Sequence, residues 1–496
     1  MTNEIPSGTT SGDPGRPKVI IVGAGLAGLT LGMILQKSDI PYEIFESAPA
    51  IRPVGAAMVF GPTLAPMFKQ CGIYDEFVAL GKKNESINVL NSKGGKEYSV
   101  NFSDGKEMFG EDGYILTRPI IYDLIYRQIP KDRIHLGKKI LSTDQDSHCV
   151  TIKCSDGLEY KGDILVGGDG AYSVVRKNMY SNVQKEGILP ASDCLPLPFR
   201  TFCLLGQTRK LDVTEFPDLA KDPCQFYSTL GDDNPYAWST FTTAQGTIAW
   251  GVIEHLPAEA TREDKYYRRA DWGPEAALAF CEKVRDLPVK SGGNKIMAIG
   301  DLIDVTPKEQ INKVRLEEKI FETWHHGRTV LIGDACHKFT PAGGVGATNA
   351  MHDAVVLANW IHALPSSASA KEISYAFQAY QSERMPWVQE AFKHSRAFQV
   401  TNSKPYSLML AEGNEQGART DSGTRGYLGK MIRFGAKHMP TWMQRRTAIS
   451  MNINRPQVVF LDRADDTGSV RPAPQISLDA KIPLPSQETH DSALAI

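Results

Sequence analysis

Three glycines at a fixed spacing, Gly23, Gly25 and Gly28, directly follow the apolar run Val19-Ile20-Ile21-Val22. After a strand, the first such glycine permits a tight turn and the second lets the backbone approach a pyrophosphate. The third lets the following helix lie close to the strand. The start of that helix adds unpaired amides and a partial positive charge, both favourable to phosphate. Glu46 closes the next apolar run, about twenty residues on, where a carboxylate can accept the ribose hydroxyls. The chemistry these residues could do is therefore to hold a dinucleotide. The plain alternative, a glycine turn that merely joins strand to helix, leaves Glu46 without a role.

The elements that must position these residues can be read from periodicity. Val19 to Val22 is a β-branched run suited to a strand buried on both faces. A helix is expected from about Ala27 to Lys37, with Leu29, Leu31, Ile34 and Leu35 on its buried stripe. A second strand follows at Tyr42 to Glu46. Two later segments have the same strand-then-glycine form, Tyr160 to Gly170 and Thr329 to Asp334. Between Leu189 and Trp324 the composition shifts toward Thr, Phe, Tyr and Trp, and Ala237–Phe241 and Thr247–Ile253 suit an antiparallel sheet. After Gly346 the pattern turns helical. The expected fold is α/β: a discontinuous Rossmann-like domain over 17–188 and 325–400, with a β-rich substrate lobe inserted at 189–324. C-terminal helices are expected over 401–462, with flexible tails at 1–16 and 463–496.

Composition narrows the function class. The 496 residues are 42% apolar and 23% charged, with a net charge of -2, ordinary for a globular enzyme and without the basic field that nucleic acid requires. Eight scattered cysteines form no C-x-x-C pair, so neither a zinc site nor a redox dithiol is expected, and the thiols read as reduced. His325 and His326 are adjacent on an expected strand and point to opposite faces, so no metal is expected there. The first residues lack the apolar core of a signal peptide, and no apolar run reaches the length of a membrane span. A cytoplasmic location follows. Lys430 to Met443 mixes basic and large apolar residues and reads as a packed helix, with peripheral membrane contact as the alternative.

Four stretches together resemble the single-domain flavoprotein monooxygenases of the aromatic-ring hydroxylase type. Among these the chain is similar to the fungal enzymes that epoxidise or hydroxylate secondary metabolites. The stretches are the first glycine turn, Thr117-Arg118-Pro119, Gly168-Asp169-Gly170-Ala171-Tyr172-Ser173, and Gly333-Asp334 with the following Ala335 to Asn349. The resemblance implies FAD as cofactor and NAD(P)H as co-substrate. It implies that Asp334 accepts a hydrogen bond from the ribityl chain and that Arg118 reaches the phosphate–ribityl region. Asp169 would bridge the FAD and NAD(P)H sites through backbone and ribose contacts, Val59 would offer a backbone contact, and the amides of Gly346 and Ala347 would face the flavin's pyrimidine edge. The family usually has Gln where Val345 stands and often Gly or Met at Ala347, differences that leave the backbone donors in place.

The implied reaction passes oxygen from O2, through a flavin C4a-hydroperoxide, to a small hydrophobic substrate of terpenoid, meroterpenoid or polyketide type. The hydroperoxide must be kept dry, and Phe226, Tyr227, Tyr236, Trp238, Phe241 and Trp250 are candidate walls. Packing of the sheet is the plainer reading of each aromatic residue singly. A phenolic hydroxylase of the same fold would need a group that favours phenolate, and Arg200 and Tyr227 are the candidates. A halogenase would carry a W-x-W-x-I-P element, which Trp250-Gly251-Val252-Ile253 does not supply. A non-oxygenating FAD-binding protein would bind flavin without NADPH-driven oxygen consumption.

Overall fold

The computed structural model describes residues 15–51, 57–101, 111–231, 235–256, 273–290, 297–341 and 344–403, with two short paired segments at 463–464 and 470–471. The reading of 401–462 as helical, of Lys430 to Met443 as a surface segment, and of the two tails falls almost wholly outside these residues. Among the described residues no helix is long and apolar enough to cross a membrane.

The strand Val19–Val22 lies at most 5% exposed, because parallel strands run on both sides of it. Val19 pairs with Tyr42 on one side and Ile164 on the other. The full sheet has six strands, in the order His325–His326, Thr329–Leu331, Ile164–Gly167, Val19–Val22, Tyr42–Phe45 and Ile134–His135. A β-branched residue buried on both faces contributes about 1.5–3 kcal/mol, so this short run anchors the layer. The helices Leu26–Lys37 and Gly346–His362 pack on each other beside it. The expected single strand from Tyr160 is two elements. Glu159–Gly162 belongs to a small antiparallel sheet, and the chain breaks at Asp163, whose Oδ2 accepts the Lys18 N–H at 2.7 Å.

The second lobe is a seven-stranded sheet. Its order is Asn312–Glu317, Phe199–Gln207, Ile248–His255, Tyr236–Thr242, Phe226–Leu230, Ser86–Leu90 and Lys96–Asn101. The last two strands come from well before residue 189, and Ser86–Leu90 joins Phe226–Leu230 in parallel register. Local pattern cannot reveal such a partner.

Side-chain alternation divides the aromatic residues of this sheet between two faces. Trp238, Trp250 and Val252 pack with Phe202 and Leu204 against Phe280 and Val284 of the helix Pro274–Val284, and Tyr236 joins them. The Trp238 indole N–H donates to Pro288 O at 2.7 Å, and that of Trp250 to Thr306 Oγ1 at 3.0 Å. These three aromatics therefore build the lobe's own core, a correction to their reading as pocket walls. Phe226 and Phe241 are on the other face, where with Cys224 and Ala249 they meet Val59 and Ile115. Those two residues belong to a separate sheet of Ala57–Phe60, Tyr114–Thr117 and Lys82–Lys83.

The segment that enters the second lobe near Asp193 and the one that returns near Thr323 are tied together by one buried carboxylate. Asp193 accepts N–H bonds from Glu322 at 2.8 Å and Thr323 at 2.9 Å, and the Tyr180 hydroxyl at 3.1 Å.

Candidate active site

The glycine turn closes as its spacing demands. Gly23 has φ +101°, and a Cβ there would lie 2.5 Å from Gly168 O. A Cβ on Gly28 would lie 2.0 Å from Gly23 O, so helix and turn are in direct backbone contact. Gly25 is different. Its backbone is extended (φ -74°, ψ 178°), and a Cβ would come no closer than 3.9 Å to Gly168 O and Tyr122 Oη. The chain's own packing does not require glycine at Gly25. In glycine turns of this kind the open backbone edge at the second glycine is where a pyrophosphate can approach.

The other sequence motifs converge on this turn. Gly168 and Asp169 abut Gly23. Gly333, at φ +60°, is wedged so that its Cβ would be 3.2 Å from the Cβ atoms of both Ala27 and Ala350. The Gly333–Asp334 turn, some three hundred residues later in the chain, thus sits on the helix that follows the glycine turn. Arg118 opens the helix Arg118–Tyr126, and Tyr122, one turn along it, is the residue whose hydroxyl faces Gly25. The guanidinium of Arg118 reaches the Tyr122 hydroxyl at 3.4 Å and lies 5.5 Å from its ring centre. Its Nε is buried without a hydrogen-bond partner. Burying an unpaired donor of a charged group is costly, so a donor held here suits an anionic ligand such as the cofactor's phosphates.

Glu46 does more than await a ribose. Its Oε2 accepts the Ala24 N–H at 2.9 Å and its Oε1 the Ala48 N–H at 2.8 Å, so it braces the glycine turn itself. Asp334 points from its short turn with one partner, Lys338 Nζ at 2.9 Å, and stays 42% exposed. Gly346 and Ala347 occupy the first two positions of the helix Gly346–His362, and a Cβ on Gly346 would meet nothing within 4 Å. Val59 lies at the apolar junction between the lobes.

Asp169 is placed beside the glycine turn, but its carboxylate is engaged locally. It accepts the Ser173 hydroxyl at 2.5 Å and the N–H groups of Val174 and Val175 at 2.7 and 3.2 Å. Burial pushes its carboxyl above the usual range, against the pull of these bonds. The carboxylate thus supports the first turn of the helix Val174–Lys185, whose N-cap is Ser173.

The two phenolate-favouring candidates fare differently. Tyr227 pairs across the sheet with Thr240, itself opposite Trp250, so it shares the face turned away from Val59 and Ile115. Burial, with Asp218 beside it, pushes its hydroxyl up to about 12. The side chain is thus on the same sheet face as Trp238 and Trp250, which build the lobe's own core. Arg200 is the extra residue of a β-bulge, since Phe199 pairs with Glu317 and Thr201 with Leu316.

A buried cluster lies behind the Gly333 turn. Asp353 is fully buried. Its Oδ2 accepts the Gly333 N–H at 2.9 Å and meets His337 Nε2 at 2.6 Å, and its Oδ1 accepts from Arg384 Nε at 2.8 Å. Burial would raise its carboxyl, but His337 and Arg384 outweigh that and hold it at about 2. Cys336, His337 and Asp353 are close enough to share a metal, yet both Asp353 oxygens are already bonded and one faces a guanidinium. The arrangement is an ion-pair network. Its sequence signal was a lone acid on an apolar helix.

The family model described as the FAD binding domain matches residues 16–395 of this chain. The chain belongs to that family. The FAD-dependent monooxygenase paxM of Penicillium paxilli is 30% identical over 417 residues, covering 79% of this chain and 81% of its own. The FAD-dependent monooxygenase ctvC of Aspergillus terreus is 28% identical over 351 residues, 70% of each chain. Among solved structures, Klebsiella pneumoniae HpxO in complex with FAD and uric acid superposes with a TM-score of 0.64 at 21% identity, covering 88% of this chain and 97% of that one. The α/β fold with its inserted sheet is therefore a family fold. This FAD-binding-domain protein is an oxidoreductase, an FAD-dependent monooxygenase of the fungal secondary-metabolism type.

Proposed function

We propose that this monooxygenase uses NAD(P)H and O2 to epoxidise or hydroxylate a hydrophobic intermediate of terpenoid, meroterpenoid or polyketide type. The observation that carries the substrate class is the junction between the lobes. There Phe226, Phe241, Cys224, Ala249, Ile115 and Val59 pack together as one apolar cluster. A wall of that kind binds a greasy skeleton and keeps water from the reacting atoms.

FAD, when bound and reduced, supplies the activation of O2 that no side chain can supply. The chain's own residues bind and orient it. The amides after Gly25 and the helix start receive the pyrophosphate, with Arg118 adding a charge-assisted donor. Glu46 offers its remaining lone pairs to the ribose while bracing Ala24. Asp334 accepts from the ribityl hydroxyls, and the amides of Gly346 and Ala347 stabilise negative charge at the pyrimidine edge. The backbone at Val59 and Asp169 completes the contacts. Of the two groups that could favour a phenolate, Tyr227 is on the sheet face turned away from Val59 and Ile115.

The test is a substrate panel on purified, flavin-loaded protein. NADPH and NADH oxidation are followed with olefinic terpenoids or polyketides and with simple phenols, and products are checked for one 18O atom from labelled O2. Substrate-stimulated oxidation with the olefins supports the reading. Stimulation by phenols alone would replace it with the phenolic hydroxylase, and flavin reduction without substrate oxygenation would leave a non-oxygenating flavoprotein.

A further inference from the structure

We propose that Asp353, held by Arg384 and His337, is a positioning residue that sets the aim of both cofactor-facing segments, the Gly333–Asp334 turn and the start of the helix Gly346–His362. The inference rests on FAD binding, which the family establishes, and not on the substrate class.

The need for such a residue is local. Gly333 leaves the strand Thr329–Leu331 in the left-handed region at φ +60°, so its N–H lies beyond the parallel ladder. A buried N–H must find an acceptor. The acceptor is Asp353 Oδ2 at 2.9 Å, from a helix that begins thirteen residues further on. This one bond fixes the Ile332–Gly333 peptide, from which the turn carrying Asp334 starts.

A buried carboxylate is mobile in neither direction only if its remaining lone pairs are tied. Arg384 Nε takes Oδ1 at 2.8 Å and supplies the countercharge from the helix Ala370–Ser403. His337 meets Oδ2 at 2.6 Å, while its Nδ1 is buried without a partner. A carboxylate only accepts, so His337 donates to Asp353 through Nε2. The same Arg384 reaches forward: its second nitrogen donates to Asn349 Oδ1 at 3.1 Å, and Asn349 Nδ2 donates to Val345 O at 2.9 Å. Val345 is the residue immediately before Gly346. One network thus holds the turn that carries Asp334 and the amides of Gly346 and Ala347.

None of these four side chains need touch the cofactor, so the effect is read in cofactor affinity and geometry. FAD dissociation constants would be measured by flavin fluorescence for wild type, Asp353→Asn, and Ile361→Ala, which opens a cavity in the last turn of the same helix where the side chain is 0% exposed. Each is assayed well below the melting temperature of its apoprotein. Asp353→Asn should weaken FAD at least fivefold more than Ile361→Ala and alter the visible circular dichroism of bound flavin. A smaller difference overturns the proposal. Should Asp353→Asn fail to fold, His337→Leu and His337→Gln take its place. Gln keeps a donor toward Asp353 and should bind FAD at least fivefold more tightly than Leu, and equal affinities overturn the proposal. Failure of wild type to bind FAD would instead strike at the cofactor assignment.

Discussion

Replacing Gly25 by alanine should separate folding from cofactor binding. At φ -74° and ψ 178° an alanine backbone is unstrained, and its Cβ would meet nothing closer than 3.9 Å. Two small opposing effects act on the apoprotein. Removing a glycine restricts the unfolded chain and stabilises by about 0.4–1 kcal/mol, while alanine is a poorer helix cap than glycine by a similar amount. The apoprotein melting temperature should therefore stay within a few degrees. FAD should be affected severely, since the methyl group stands where the pyrophosphate meets the backbone. Losing two charge-assisted amide bonds at about 1.5–3 kcal/mol each, offset in part by rearrangement, removes about 3–4 kcal/mol. That corresponds to a loss of about 100- to 1000-fold in affinity. The assay is paired: calorimetry of the apoprotein, and flavin fluorescence titration of the same sample. Gly28→Ala serves as the contrast, because its Cβ would lie 2.0 Å from Gly23 O, and the fold itself should suffer. An unchanged FAD affinity in Gly25→Ala would refute the assignment of that backbone edge to the pyrophosphate.

Arg118→Met removes a buried Nε that has no partner among the described residues and a long bond to the Tyr122 hydroxyl, so the apoprotein should keep its stability to within about 1 kcal/mol, while FAD weakens about 10- to 100-fold. A drop in apoprotein stability with normal FAD binding would make Arg118 structural. Asp334→Ala breaks only a half-exposed pair with Lys338, worth less than about 1 kcal/mol, yet purified protein should carry less than a tenth of the wild-type flavin, read from its visible absorbance. Glu43 lies between Lys18 Nζ at 2.7 Å and His135 Nε2 at 3.4 Å. Burial raises its carboxyl, but these partners outweigh it and hold the group at about 2. A depressed carboxylate stabilises above its unfolded value near 4 and loses that contribution as pH falls toward 2. Glu43→Gln should therefore lower the urea-unfolding free energy by about 1–3 kcal/mol at pH 6 and converge with wild type by pH 2. A constant gap across that range would exclude the ion pair as the cause.

What could be read from the chain alone is what neighbours in sequence decide. Gly28 is glycine for a steric reason set within six residues, the carbonyl of Gly23, and Val19 to Val22 announce double-sided burial by their composition. The tertiary structure decided everything that depends on which distant surface arrives. Asp169 reads as a cofactor residue but spends its carboxylate on the helix starting at Val174. Phe226 and Tyr227 are adjacent in sequence, yet alternation sends one to the apolar junction and the other to the opposite face. Ser86–Leu90 joins a sheet whose other strands lie more than a hundred residues away, with the exception of its hairpin partner. The sharpest case is Gly333. Its sequence says that a strand ends in a turn, but only folding brings Asp353 and Arg384 behind it, because an unpaired N–H and a buried charge can be satisfied by any helix that comes within 3 Å.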